Sequence, residues 1–342
     1  MPEAGKHSVT YVVVGDEAQG QRLDNFLILL CKGVPKSHLY RVLRSGEVRV
    51  NKKRCDATWR LAAGDSIRLP PMRLAERPRA EAEEAAKERV RLPILYEDEA
   101  LLALDKPAGI AVHGGSGVSF GVIESLRQQR PEARFLELAH RLDRETSGLL
   151  LVAKKRSALN ALHDMFREAG QVADKRYLML VKGRWMNPRQ QVKLPLYKYL
   201  LASGERRVRV DPAGKPAHTV FRLLARWQRF SLLEGQLKTG RTHQLRVHLA
   251  HLGYPILGDE KYGDFALNKA LQKEGLKRMA LHARSMDLPH PLAATRRLCL
   301  VAPLPEALCA FIRHLDAVET RDFAVDDLDA LLATAARTPY AE

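Results

Sequence analysis

The residues with the clearest chemical capacity lie in one stretch, His140-Arg141-Leu142-Asp143-Arg144-Glu145-Thr146-Ser147-Gly148. Asp143 offers a negative charge and a nucleophilic or basic oxygen, with an arginine nearby on each side. The stretch separates two apolar runs, residues 135–139 and 149–153, that read as strands. Thr146-Ser147-Gly148 is a turn signal. The polar cluster is therefore expected on a loop between buried strands, the kind of place where a rigid scaffold supports chemistry. A solvated loop with local ion pairs accounts for any single charge here. It accounts less well for a carboxylate set between two arginines beside a core strand.

Two more stretches carry candidate groups. Residues 174–183 alternate as a strand, with Tyr177, Met179 and Val181 on one face and Leu178 and Leu180 on the other. Taken alone, a strand tyrosine is core filler with its hydroxyl at the edge. Residues 242–252 read as a helix that buries Leu245, Leu249 and Leu252 and projects His243, Arg246 and Ala250 from an adjacent face. Gly253 stops it. His243, His248 and His251 invite a zinc reading, but their spacing of five and three misses the four that sets two helical imidazoles on one ion. No metal is expected. The glycine-rich loop at 114–117 lacks the Gly-Lys-Ser/Thr of a P-loop, which argues against a nucleotide triphosphatase.

The elements that must position these groups follow from pattern. Strands are expected at 94–99, 101–107, 109–113 and 230–237, helices at 120–129 and 157–169, and a final hairpin from 281–288 and 297–301. Residues 189–218, rich in Lys and Arg, read as an irregular insert. A chain of 342 residues suggests about two domains. The net charge of +16 favours a polyanionic partner, nucleic acid first and an anionic membrane second. No apolar run approaches the roughly 20 residues of a membrane span, and the N-terminus carries no export signal. Cys31, Cys55, Cys299 and Cys309 are scattered without a CxxC, as reduced cytosolic thiols are, so a cytoplasmic location is expected.

The excess charge is uneven. Residues 20–70 hold eleven Lys/Arg against four acids, a net of +7. Residues 22–31 have helical apolar spacing, and Ser37 reads as the N-cap of a second helix running to Arg44 and ended by Gly46. Short strands at 48–50 and 66–69 follow, the first running into an Asn51-Lys52 turn. Arg41 and Arg44 share a helical face, and Lys52, Lys53 and Arg54 cap the hairpin. Residues 71–90, rich in charge, Ala and Pro, read as a linker. The acidic segment 316–342 reads as a loose helical tail.

HRLDRETSG resembles, without departure, the H-R-L-D-x-x-T-S-G motif of the RluA-type pseudouridine synthases. Lys175-Arg176-Tyr177 matches the family's K-x-Y, and GRTHQLRVHLAHLGYPILGDEKYG its third motif. The resemblance runs from about residue 8 to 315. It implies an α+β fold, a mixed, largely antiparallel sheet flanked by helices, over a catalytic domain at 91–315. It implies that Asp143 is the catalytic residue, that Arg141 helps displace the target base, and that Tyr177 lies against the uracil. Arg246 is expected to pair with Asp143. Arg241 is the runner-up for that pairing and otherwise a phosphate contact. His140 and His113 join the RNA-binding set. Residues 20–70 resemble an S4 domain in RLDNFL, PKSHLYRVLRSGEVRVNKK and AGDSIRL, which implies that Lys36, Arg41, Arg44, Lys52, Lys53 and Arg54 track an RNA backbone. Within the family the likeness is strongest to enzymes of large-subunit ribosomal RNA.

The implied reaction breaks the N1–C1′ bond of uridine, turns the base and rejoins it through C5. It is redox-neutral, so no cofactor is demanded. The carboxylate acts at C1′, at C6 or on a sugar proton. A monomer acting on ribosomal RNA or on the assembling large subunit is expected. The rivals are a relative acting on other ribosomal or transfer RNA uridines, a vestigial RNA-binding assembly factor, and an N-glycosidase that releases free base.

Overall fold

The computed structural model describes residues 9–31, 34, 36–71, 92–114, 121–168, 172–201 and 205–333. Backbone contacts divide the chain into two compact units, Met1–Arg89 and Val90–Glu342. From residue 72 on, the linker expected at 71–90 lies outside the described residues.

In the first unit β1 (Thr10–Val13) precedes helices α1 (Leu23–Leu30) and α2 (Lys36–Ser45), then β2 (Arg49–Val50), β3 (Lys53–Arg54) and β4 (Ser66–Leu69). The strands form an antiparallel sheet in the order β1-β4-β2-β3. Leu23 and Leu27 of α1 and Leu39, Val42 and Leu43 of α2 pack on Val50, Ile67 and Leu69 of the sheet. Burying each such side chain is worth roughly 1.5–3 kcal/mol. Asp24 of the RLD motif is buried, paired with Arg22 at 2.7 Å and accepting a hydrogen bond from the Tyr40 hydroxyl at 3.1 Å, which ties α1 to α2. Ser37 is not the cap, because α2 already begins at Lys36. Asn51 and Lys52 both have positive φ, the backbone a tight two-residue hairpin needs.

The second unit contains β5 (Ile94–Glu97), β6 (Leu101–Lys106), α3 (Val122–Gln129), β7 (Glu137–Leu138), β8 (Ser147–Ala153), α4 (Arg156–Arg167), β9 (Asp174–Lys182), β10 (Arg189–Val192), β11 (Leu196–Leu200), β12 (Arg206–Val210), β13 (Thr219–Arg226) and β14 (Phe230–Leu237). Then come α5 (Gln244–His251), α6 (Phe265–Lys273), β15 (Leu281–His290), β16 (Ala293–Val301), α7 (Glu306–Val318), β17 (Phe323–Ala324) and α8 (Leu328–Ala333). Among the described residues these build an eleven-stranded sheet with the central order β10-β13-β14-β9-β15-β8-β6-β5. Its pairs are antiparallel except β8 with β15, where Ser147 lies opposite His282. The sheet is thus mixed, with helices on both faces.

Strand alternation sorts the core. Leu150, Val152, Tyr177, Met179 and Val181 face α3 and α5. Leu149 and Leu151 turn to the other face, against Ala158, Leu159 and Leu162 of α4. Leu178 and Leu180 also turn there, against Leu271 of α6 and Leu308, Phe311 and Ile312 of α7.

Several expectations are corrected. Residues 109–113 form no strand. The Ile110 carbonyl takes the Lys106 ammonium, and the Ala111 and Val112 carbonyls take the first amides of α3. That helix starts at Val122, with Glu124 accepting from the amides of Gly114 and Gly121, and residues 115–120, which include 115–117 of the glycine-rich loop, lie outside the described residues. The turn sits at Arg144-Glu145, closed by the Thr146 amide on the Asp143 carbonyl, while Ser147 and Gly148 already belong to β8. The described residues of the insert include β10 and the antiparallel pair β11 and β12. Residues 316–333 are not a loose tail. Phe323 and Ala324 pair with β13, Leu328 is buried, and Asp322 binds Arg226 at 2.8 Å. Residues 334–342 lie outside the described residues.

Candidate active site

The loop bearing Asp143 leaves β7 and enters β8, as expected, and its shape is imposed from beneath. Lys106 is buried and donates to the carbonyls of Pro107 (2.8 Å), Ile110 (2.8 Å) and Arg144 (3.0 Å). Arg278 donates to the Ser147 hydroxyl at 2.6 Å. Gly148 has φ of +106°, and a Cβ there would lie 2.2 Å from the Ala283 carbonyl oxygen. Glycine is what lets β8 approach β15 directly after the loop.

Asp143 lies in the wall of a cleft of about 730 Å³, also lined by Arg141, Phe166, Lys175, Tyr177, Arg241, His243 and Arg246. Arg246, on α5, donates through Nη1 to Asp143 Oδ2 at 2.9 Å. Its other edge is a bidentate fork on Asp259, Nε to Oδ2 at 2.7 Å and Nη2 to Oδ1 at 2.8 Å. Burial works against the guanidinium charge, but Asp259 and Asp143 outweigh it and raise the Arg246 pKa above its usual value. Asp259 is itself 1% exposed and further accepts the amides of Lys261 and Tyr262. Its position is set by Gly258, at φ +73°, where a Cβ would meet the Arg278 carbonyl oxygen at 2.2 Å.

With Oδ2 held, Oδ1 of Asp143 points to His243 Nε2 at 3.7 Å, beyond hydrogen-bond length. Tyr177 is buried in the cleft wall. Burial first, then the Asp143 charge, push its phenol well above the usual range. Lys175 lies over the Phe166 ring at 4.0 Å, and burial lowers its pKa to about 8.

The remaining expected residues divide. Arg141 is exposed on the cleft, whereas Arg144 pairs with Glu145 at 2.8 Å on the surface. Arg241 lines the cleft and donates to the Pro216 carbonyl at 3.0 Å, so the partner of Asp143 is Arg246. His140 is engaged in holding structure. Its Nε2 accepts the Leu151 amide at 3.0 Å, its ring meets Phe166 edge-on, and burial lowers its pKa to about 3. His113 is exposed and does not line the cleft. His248 contacts the Thr219 hydroxyl through Nδ1 and the Leu194 carbonyl through Nε2. In the first unit Lys36 opens α2, while Arg41, Arg44, Lys52, Lys53 and Arg54 are exposed. Arg54 also donates to the Arg44 carbonyl at 2.5 Å.

Comparison with known proteins decides what this arrangement belongs to. The RNA pseudouridylate synthase family model matches residues 100–251. Ribosomal large subunit pseudouridine synthase C of Salmonella typhimurium is 50% identical over 305 residues, covering 88% of this chain and 95% of its own. The protein of that name from Escherichia coli is 50% identical over 312 residues, 90% of this chain and 97% of its own. This chain belongs to the RNA pseudouridylate synthase family. A solved structure, human RNA pseudouridylate synthase domain containing 4, shares the fold with a TM-score of 0.56 and 27% identity over 72% of this chain and 99% of its own. The synthase is therefore an isomerase of the α+β class. Among its described residues no helix is long and apolar enough to cross a membrane.

Local sequence carries no functional signal for one cleft residue, His243, or for two residues outside the cleft lining, Asp259 and Tyr262. Asp259 and Tyr262 stand in the sequence only as members of the GDEKYG motif. His243, which the sequence sets beside Arg246 on the projecting face at a spacing unsuited to zinc, stands at positive φ beside Asp143. Such a conformation is uncommon outside glycine and marks a residue worth examining.

Proposed function

We propose that the protein converts specific uridines of large-subunit ribosomal RNA into pseudouridine, with Asp143 as the catalytic carboxylate. One observation carries the assignment to Asp143: Arg246, anchored by Asp259, ties one carboxylate oxygen and leaves the other turned into the cleft. The substrate class rests on relatives about 50% identical over nearly the whole chain, which are ribosomal large subunit pseudouridine synthases. A uracil must leave its stack to reach the cleft, at a cost of roughly a few kcal/mol. Arg141, exposed on the cleft, is placed to offset that cost. Tyr177, whose phenol stays protonated near neutral pH, serves as a surface for the base rather than as a phenolate base. The enzyme acts in the cytoplasm as a monomer, without a metal ion. Mapping pseudouridine in ribosomal RNA from cells with and without the protein tests this reading. Sites lost with the protein are expected to lie in the large-subunit RNA, and an unchanged large-subunit map contradicts it.

The first unit adds affinity rather than chemistry, as an S4-like module that follows RNA phosphates. Replacing Arg41, Lys52 and Lys53 together by Ala is expected to flatten the slope of log affinity against log salt by about two. Binding titrations at several salt concentrations check this, and an unchanged slope counts against the basic surface.

Lys175 gives the cleft a pH dependence. Its proton leaves near pH 8, so between neutral pH and about pH 9 the cleft loses a positive charge. RNA affinity is expected to fall about tenfold, the worth of one charge-assisted hydrogen bond of roughly 1.5 kcal/mol. The fall should be smaller in Lys175→Met, measured by the same titration. The sign for folding is opposite. The folded-state pKa is lowered from 10.5, so the unfolded chain binds the extra proton, and this group's contribution to stability rises as pH goes from about 8 to above 10.

A further inference from the structure

His243 is the N-cap residue of α5, with φ of 54° and ψ of 23°. Its left-handed backbone is held by its neighbour. Buried Gln244 accepts the Arg241 amide at 3.0 Å and the Thr239 hydroxyl at 2.8 Å, and donates to the His218 carbonyl at 3.0 Å and the Thr219 hydroxyl at 2.9 Å. The conformation aims the ring between two groups. Nδ1 is 2.7 Å from the Tyr262 hydroxyl, and Nε2 is 3.7 Å from Asp143 Oδ1.

The donors around the ring favour one tautomer. The Tyr262 oxygen accepts the Val208 amide at 3.0 Å. Nδ1 of His243, 2.7 Å away, lies in reach of the Tyr262 proton as its acceptor. A neutral imidazole with Nδ1 accepting carries its proton on Nε2, and Nε2 is the atom that faces the carboxylate. The electrostatics agree, since an N–H facing the carboxylate oxygen is attracted to it and a lone pair would be repelled. Tyr262 is fixed from two more directions. Its amide donates to Asp259 at 3.0 Å, and the Arg246 guanidinium lies 5.1 Å from its ring centre. Val208 belongs to β12, whose partner β11 completes the hairpin that carries Lys198, Arg206 and Arg209.

We propose that His243 positions the free oxygen of Asp143, and that it does so as the Nε2–H tautomer enforced by Tyr262 and the Val208 amide. At 3.7 Å the N–H orients Oδ1 without consuming it, so the oxygen stays open to the nucleotide. The hairpin β11–β12 thereby sets the reactive carboxylate through one amide, one phenol and one imidazole. His243 is a positioning residue, and its role rests on the reading of Asp143 as the catalytic carboxylate.

The test has a spectroscopic arm and a kinetic arm. A proton–nitrogen correlation spectrum of the full chain labelled at histidine nitrogens, with the His243 signals assigned by their loss in His243→Asn, reports the tautomer in the wild-type protein. Asn tolerates the left-handed backbone, so this variant changes the side chain alone. We expect a protonated Nε2 and an accepting Nδ1 in the wild type, and mixed tautomers in Tyr262→Phe. Single-turnover conversion by Tyr262→Phe should fall about tenfold to a hundredfold, with RNA affinity held within about twofold. An Nδ1–H tautomer or an imidazolium at neutral pH overturns the proposal, as does a Tyr262→Phe enzyme that converts at the wild-type rate or loses only affinity. If Tyr262→Phe does not fold, the wild-type tautomer alone decides. That arm does not depend on the role of Asp143, so its failure is distinct from failure of the catalytic assignment.

Discussion

Asp143→Asn is expected to bind RNA and fold much as the wild type does, and to lose conversion by at least about ten-thousandfold, the scale of the largest single-residue catalytic losses. Asn keeps the size and the oxygen that Arg246 Nη1 reaches, while the charge and the basic or nucleophilic oxygen go. Folding should tolerate the change because Arg246 keeps its bidentate partner Asp259, so no buried cation is left unpaired. Tritium release from RNA labelled at uridine C5 measures it, since joining C5 to C1′ expels that hydrogen. Asp164→Asn is the proper control, an exposed residue of α4 paired with Arg167. Asp98 and Asp105 are unsuitable. Asp98 accepts hydrogen bonds from Tyr96, Ala100 and Leu101 and pairs with His290, and Asp105 is desolvated by burial, which raises its pKa to about 6. Near wild-type release from folded Asp143→Asn contradicts the mechanism.

Removing Arg246 should do two separable things. Arg246→Ala leaves Asp259 buried without its cation, and breaking a buried pair in this way costs roughly 3–5 kcal/mol of stability. It also frees Asp143 Oδ2. Arg246→Lys separates the effects. A lysine retains the positive charge but cannot make the fork on Asp259 and reach Asp143 at once. Turnover by Arg246→Lys is expected to fall about a hundredfold or more, while RNA affinity holds within about twofold. Denaturant unfolding measures the first effect and single-turnover kinetics the second. A loss confined to affinity would move Arg246 among the phosphate contacts.

How much of this was legible in the chain depends on the range of the interaction. The loop between two apolar runs was readable because β7 and β8 are local and their pattern is strong. The faces of β9 were readable from alternation alone. The Asp143–Arg246 pair joins residues 103 positions apart, and only the motif resemblance brought them together. Asp259 had no local signal, since a carboxylate in a glycine-rich turn looks like any surface turn until the fold buries it. The β13 strand, residues 219–226, was missed because it is buried on both faces and does not alternate. Helix α6 was missed although Asp264 caps it by accepting the Leu267 amide at 3.0 Å. The 316–333 segment misled because composition registers its acids but not Leu328 and the strand pairing that dock it.

The central claim is that this enzyme rearranges uridine in place. Mass spectrometry of large-subunit ribosomal RNA fragments, before and after a carbodiimide that marks pseudouridine, tests it most directly. Incubation with the wild-type protein should leave every fragment mass unchanged and add the carbodiimide mark at specific uridines, with no mark after incubation with Asp143→Asn. A fragment that loses the mass of a uracil, or RNA that gains no mark at all, contradicts the account.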